Sequence, residues 1–164
     1  MDFIDAFGNK IELPKDAVVE WRVSAYAVIV DDRGRLLFVE ASNGQWEFPG
    51  GPVIVNETIA AAVVRECLEE TGYHAQHVAA QPIYMNEQRF YDQRAKSFHH
   101  SLQLYYRVNL ASNRQDQAFL ANKQITRGVK WMSLADMGYA NAHATIHPLL
   151  DHLRMRHASG DSPV

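Results

Sequence analysis

Residues 51–73, GPVIVNETIAAAVVRECLEETGY, hold one well-marked helix that has to serve as core and polar site at once. Asn56 suits the N-cap and Glu57 puts a carboxylate in the first turn; Ala60-Ala61-Ala62 has high helix propensity, and Gly72 suits the left-handed position after the last turn. The expected helix therefore spans residues 57–71. At 100° per residue, Ala60, Val64, Cys67 and Leu68 form an apolar stripe for the core. Glu66, Glu69 and Glu70, at i, i+3 and i+4, share the opposite face. Ile59, Ala62 and Val63 lie near that acidic face one or two turns earlier, so it is expected to line a cleft rather than open water.

Three carboxylates in this arrangement are electrostatically awkward. Like charges at these offsets repel by about 0.2–0.5 kcal/mol per pair, and the C-terminal half of a helix disfavours anions. An ordinary solvated acidic face intersperses lysines, yet no Lys occurs between Lys15 and Lys96, and Arg65 is the only cation in the helix. Its partner at i+4 is Glu69, in the weaker Arg-before-Glu order. A hard divalent cation would relieve the repulsion. Carboxylate oxygens are what Mg²⁺ prefers, with waters and substrate phosphates completing its octahedron.

The spacing Gly51, five residues, Glu57, seven residues, Arg65-Glu66, apolar Cys67, one residue, Glu69-Glu70, one residue, Gly72-Tyr73 resembles the signature of the Nudix hydrolases. Cys67 and Tyr73 stand where aliphatic residues are more usual, and both can still pack. The preceding Trp46-Glu47-Phe48-Pro49-Gly50 resembles the strand and glycine turn that lead into that signature. The resemblance implies an α/β fold, a Nudix-type α/β/α sandwich with a mixed β-sheet. It also implies cleavage of the diphosphate linkage of a nucleoside diphosphate derivative by water attack at phosphorus. On that basis Glu66, Glu69 and Glu70 would be ligands of Mg²⁺, with Mn²⁺ as a substitute, and one of them would also orient or deprotonate the water. Arg65 would hold a carboxylate in place, Glu57 would pair with it or bind a further metal, and Gly51 would offer a backbone carbonyl. Dimers are common in the family, so the resemblance admits a homodimer.

Size and charge agree with a small enzyme. A chain of 164 residues, 47% hydrophobic, can bury one core, and a single domain over residues 1–158 with a frayed tail at 159–164 is expected. The formal net charge of -3 argues against a protein held to nucleic acid by bulk positive charge. One cysteine forms no intramolecular disulfide, and the chain contains neither a signal-like N-terminal segment nor an 18-residue apolar run. A cytoplasmic protein with no membrane partner is the expectation.

Elsewhere, residues 3–4 and 10–13 flank Phe7-Gly8-Asn9 as a short hairpin, and residues 23–30 and 36–39 read as strands joined by Asp31-Asp32-Arg33-Gly34. Residues 78–85 read as a strand interrupted by Pro82. Residues 101–110 alternate strictly, with Leu102, Leu104, Tyr106, Val108 and Leu110 on one side, as a half-buried strand does. Residues 129–132 form a shorter strand, Ser133-x-x-Asp136 resembles a capping box opening a brief helix, and residues 145–157 carry Ile146, Leu149, Leu150 and Leu153 at helical spacing.

Substrate choice rests on residues outside the signature. Arg22 opens the residue 23–30 strand, where a basic residue could reach phosphate or simply be solvated. Residues 86–100 combine Arg89, Arg94 and Lys96 with Phe90, Tyr91 and Phe98; the aromatics could stack a base while the cations meet phosphates, or the segment could equally be an exposed loop between strands. A tyrosine near the position of Tyr91 resembles diadenosine-polyphosphate members of the family. His143, His147, His152 and His157 read as surface residues, and Cys67 as a buried, inert thiol. The expected partner is a small nucleotide. Two other readings stay open. One is a nucleotide-sensing module without catalysis, although such members typically lose signature glutamates and none is missing here. The other is removal of pyrophosphate from RNA 5′ ends, which the negative charge disfavours.

Overall fold

The computed structural model describes residues 2–121 and 127–160. Strands β1 (Phe3–Ile4) and β2 (Lys10–Ile11) form the expected N-terminal hairpin. They are followed by β3 (Val19–Val28), β4 (Leu36–Glu40), β5 (Trp46–Glu47), β6 (Gly50–Pro52) and helix α1 (Ile59–Thr71). Then come β7 (Ala75–Val78), β8 (Tyr84–Asp92), β9 (Ser97–Leu110), the short helix α2 (Gln117–Ala121) and β10 (Gly128–Met132). A 3₁₀ turn (Ala144–Ile146) runs into α3 (His147–Ala158). No described helix is long and apolar enough to cross a membrane.

The main sheet has the order β2-β1-β8-β9-β3-β6, with β7 beside the far end of β9, and a smaller sheet has the order β10-β4-β5. It is mixed: β3 runs parallel to β9 and β1 to β8, while β8 with β9 and β3 with β6 are antiparallel. Strand alternation sorts β3 between two cores. Ala25 and Ala27, with Ile29 just beyond the strand, face Val63 and Cys67 of α1; Tyr26 and Val28 face Leu149, Leu150 and Leu153 of α3. Helices therefore cover both faces, giving the α/β/α arrangement. The three α3 leucines are fully buried, each worth roughly 1.5–3 kcal/mol relative to exposure.

Four local expectations need correction. Residues 86–100 are not a loop but the β8–β9 hairpin, closed by a turn in which Lys96 takes φ 52°. The middle of β9 is buried on both faces rather than half-buried, because β3 and β8 flank it and side chains from both cores cover it. The interrupted strand over residues 78–85 is two strands, β7 ending at Val78 and β8 starting at Tyr84 just after Pro82; both lie along one edge of β9, bridged by backbone bonds from Ala79 N–H to Arg107 O and from Ile83 N–H to Tyr105 O. Ser133 and Asp136 do bond to each other, but they close a turn and no helix follows. Of the expected tail, Ser159 and Gly160 close the last turn of α3, and residues 161–164 lie outside the described residues.

Candidate active site

Helix α1 starts two residues later than its sequence suggests. Thr58 is the N-cap, its hydroxyl accepting from Ala61 N–H at 3.2 Å, while Asn56 stays outside. The reason lies in Glu57. Its carboxylate accepts from Ile54 N–H (2.9 Å) and from Arg65 Nη2 (2.7 Å) and Nε (3.0 Å), which draws residues 54–57 into a turn ahead of the helix. At the other end Gly72 takes φ 71° and donates to Leu68 O, the expected left-handed cap.

The buried face of α1 is also rotated from the expected stripe. Ala62, Val63, Glu66, Cys67, Glu70 and Thr71 are buried, whereas Ala60 and Val64 are exposed. Two of the three glutamates therefore point into the protein, Glu66 at 9% and Glu70 at 7% exposure, and only Glu69 reaches solvent. The rotation is allowed by glycine. A Cβ on Gly51 would lie 2.7 Å from Glu66 Oε1, so the carboxylate occupies space that any other residue would fill. Gly50 N–H donates to Glu70 Oε2 at 2.9 Å.

Arg65 is the hub. Its Nη1 donates to Glu66 (2.6 Å) and Glu69 (3.3 Å), and its Nη2 reaches Pro52 O (3.2 Å) besides Glu57. Those bonds push the guanidinium further up and pull Glu57 down to about 2. Glu66 moves the other way: burial raises it, Arg65 opposes, and Glu69 and Glu57 add repulsion. Burial pushes the Cys67 thiol up to about 11, which makes it inert.

One guanidinium thus serves three carboxylates beside a buried fourth, and this hard-oxygen donor set fits a divalent cation. In this structure Glu66 and Glu69 are turned onto Arg65 and Glu70 onto Gly50. Accordingly, no group of three His, Cys, Asp or Glu side chains converges among the described residues. Glu66, Glu69 and Glu70 are the groups that would hold the ion by rotating their carboxylates.

Arg65, Glu66, Glu69, Glu70 and Gly51 line a cleft of about 470 Å³, within the range of small-molecule sites. Arg22 and Arg94 line the same cleft. The Arg22 guanidinium sits over the Phe90 ring, 5.1 Å from its centroid. Arg89 and Tyr91 do not join them: Arg89 pairs with Glu87 (3.1 Å) and Tyr91 packs on Phe98 (4.8 Å), on the other face of the hairpin. Alternation along β8 decides this, sending Phe90 and Asp92 into the cleft and their neighbours away. Glu47, Gln103 and His143 also line the cleft and had not been singled out for it. Extending the alternation of residues 101–110 back through the hairpin would have found Gln103, Phe90 and Asp92.

His143 overturns its expected surface place. It caps the 3₁₀ turn, Nδ1 accepting from Thr145 N–H, and is half-buried. His147 stacks on Tyr139 and bonds Ala142 O, so the two histidines are not joined at one site.

Burial and then Asp92 push Glu47 up to about 7, against Arg22, while burial holds His143 down to about 4. Their pH linkages oppose each other. Glu47 stabilises the fold fully below 4.5, and that contribution is lost as pH rises through about 7. His143 contributes fully above 6.5, and that is lost as pH falls towards 4. The two slopes cancel between about pH 4.5 and 6.5, so metal-free protein is expected to hold its highest thermal midpoint across that window and to lose stability on either side of it. Glu47→Gln should flatten the alkaline decline, as thermal scans in EDTA across pH 4–9 would show.

A family profile described as the NUDIX domain matches residues 20–153. A MutT-like protein of Streptomyces ambofaciens is 41% identical over 68 residues, covering 41% of this chain and 44% of that protein. A putative 8-oxo-dGTP diphosphatase of Bacillus subtilis (strain 168) is 33% identical over 110 residues, covering 66% and 64%. The chain spans less than two thirds of the length of these curated relatives. Among solved structures, a MutT NUDIX hydrolase from Burkholderia pseudomallei superposes with TM-score 0.62 at 22% identity, covering 80% of this chain and 97% of that one, a likeness of fold. The matched profile spans most of the chain and includes every carboxylate of the α1 cluster, and the chain belongs to the Nudix family.

Proposed function

We propose that the protein is a Mg²⁺-dependent pyrophosphohydrolase that cleaves the diphosphate linkage of a nucleoside diphosphate derivative, with Mn²⁺ able to replace Mg²⁺. The observation that carries this reading is one cleft with two chemistries: buried carboxylates on α1, and the guanidinium groups of Arg22 and Arg94. Hard oxygens suit a metal bridging phosphate, and cations suit the remaining phosphate charge. The names of the relatives, MutT-like and 8-oxo-dGTP diphosphatase, point the same way.

The bound ion would supply Lewis acidity at a phosphate oxygen and lower the pKa of the attacking water. Glu66, Glu69 and Glu70 would hold it, and the Gly51 carbonyl would lie beside them. Arg65 positions the cluster: clasped by Glu57, it cannot swing away, and it holds Glu66 and Glu69 by charge-assisted hydrogen bonds. Glu66, buried against Gly51 in the cleft, is our candidate for taking a proton from the attacking water. Arg22 and Arg94 would orient the diphosphate.

The test is phosphate release from nucleoside triphosphates, oxidised nucleotides, nucleotide sugars, ADP-ribose, dinucleoside polyphosphates and triphosphorylated RNA. Release from at least one small nucleotide, restored by Mg²⁺ after EDTA, is the expected result. Cleavage of the RNA alone would move the substrate to RNA 5′ ends, and no release from any would favour a nucleotide sensor.

A further inference from the structure

The cleft contains, outside helix α1, an acid that the protein itself leaves without a hydrogen bond among the described residues. Glu47, on the two-residue strand β5, lines the cleft, and among the described residues no donor bonds to its carboxyl. Its position is fixed by backbone. β5 pairs with β4, and Trp46 exchanges bonds with the opposite wall, its N–H donating to Asn141 O (2.8 Å) and its carbonyl accepting from His143 N–H (2.9 Å). Glu47 and His143 are thereby held in a set relation across one corner of the cleft.

The neighbouring polar groups are committed differently. Asp92 Oδ1 accepts from Arg94 N–H (2.9 Å) and Ala95 N–H (3.0 Å), so this carboxylate caps the β8–β9 turn. Gln103 Oε1 accepts from the Tyr105 hydroxyl at 3.1 Å, which leaves its amide N–H groups as the donors. His143 Nδ1 accepts from Thr145 N–H, which puts the ring proton on Nε2. Once ionised, Glu47 therefore offers two acceptor oxygens on one carboxyl, in a cleft that the N–H donors of Gln103 and His143 also line.

Its complement is a planar edge with two adjacent N–H donors beside an acceptor. Among the common bases only guanine has this edge, with N1–H and the 2-amino group next to O6. Adenine and cytosine would turn a ring-nitrogen lone pair towards the carboxyl, and uracil has one N–H between two carbonyls. We propose, building on the hydrolase reading above, that Glu47 determines specificity by accepting the paired N–H donors of a 2-amino-6-oxopurine base. Gln103 and His143 face its carbonyl side, and the diphosphate runs towards α1.

The test is binding of GDP and IDP, which differ only by the 2-amino group, to the full chain in EDTA by titration calorimetry. GDP is expected to bind about 10-fold or more tightly than IDP, and Glu47→Gln should bring the two within about 3-fold of each other. Equal affinity in the parent, no saturation by either nucleotide at millimolar concentration, or a Glu47→Gln protein that keeps the parental ratio would each overturn the assignment. The parental comparison needs no variant, so a Glu47→Gln protein that fails to fold does not shield it. No turnover is involved, so a failure here leaves the hydrolase reading standing. A GDP preference without Mg²⁺-dependent phosphate release would remove the hydrolase reading alone.

Discussion

Glu69→Gln and Glu70→Gln are each expected to lower Mg²⁺-dependent turnover by about 100-fold or more while the fold persists. Each change removes one hard anionic donor from the α1 cluster, and the loss of a few kcal/mol of metal-mediated stabilisation corresponds to about one decade of rate per 1.4 kcal/mol. The structure separates this loss from unfolding. The Glu69 side chain is 47% exposed and among the described residues reaches Arg65 alone, at 3.3 Å, so an amide there should leave stability almost unchanged. Glu70 is buried and accepts from Gly50 N–H, but Gln keeps a carbonyl oxygen for that bond and removes a charge from a crowded face. The metal-free thermal midpoint should hold or rise in both variants. The upward shift that Mg²⁺ gives the parent, set by the ratio of ion concentration to its Kd, should shrink. Variants that turned over like the parent at saturating Mg²⁺ would remove the metal assignment from this face.

The α1 cluster was legible in the sequence because its information is local. Three glutamates at i, i+3 and i+4 share a side of any helix, and Gly72 caps that helix whatever packs against it. What sequence could not convey is which way the helix faces. The apolar residues alone place the core stripe on Ala60 and Val64. In the fold the missing Cβ of Gly51 lets the helix turn Glu66 and Glu70 inward. The cap moved for a similar non-local reason: Arg65, eight residues on, recruits Glu57 into the preceding turn and leaves the N-cap to Thr58. The rest of the cleft depends on register. Whether Phe90 or Tyr91 enters it is settled by the pairing of Phe90 with His99 across the hairpin, and a one-residue slip would exchange them. His143 becomes part of the cleft wall only through its backbone bond to Trp46, 97 positions earlier in the chain and invisible to any window of sequence.

Two adjacent glycines should fail in different ways when replaced by alanine, and the difference tests how the turn positions the site. Gly50→Ala is expected to be strongly destabilising, by roughly 3 kcal/mol or more, with the thermal midpoint falling by about 10 °C. Gly50 has φ 156°, and a Cβ there would lie 2.4 Å from Ala25 O and 2.6 Å from Tyr26 Cα, so it meets the backbone of the central strand β3. Neither partner can move without breaking the β3–β6 pairing, in which Tyr26 stands opposite Gly50. Gly51→Ala meets instead the end of a side chain, Glu66 Oε1 at 2.7 Å, and that carboxylate can rotate. Its fold should survive with a midpoint within a few degrees of the parent, while turnover and the Mg²⁺-induced midpoint shift fall, by about 10–100-fold in apparent metal affinity. Thermal scans with and without Mg²⁺, alongside initial rates, distinguish the two. If Gly50→Ala matched the parent in stability, the close approach of the turn to β3 would be wrong. If Gly51→Ala bound Mg²⁺ and turned over normally, the placement of Glu66 against Gly51 would have no part in holding the ion.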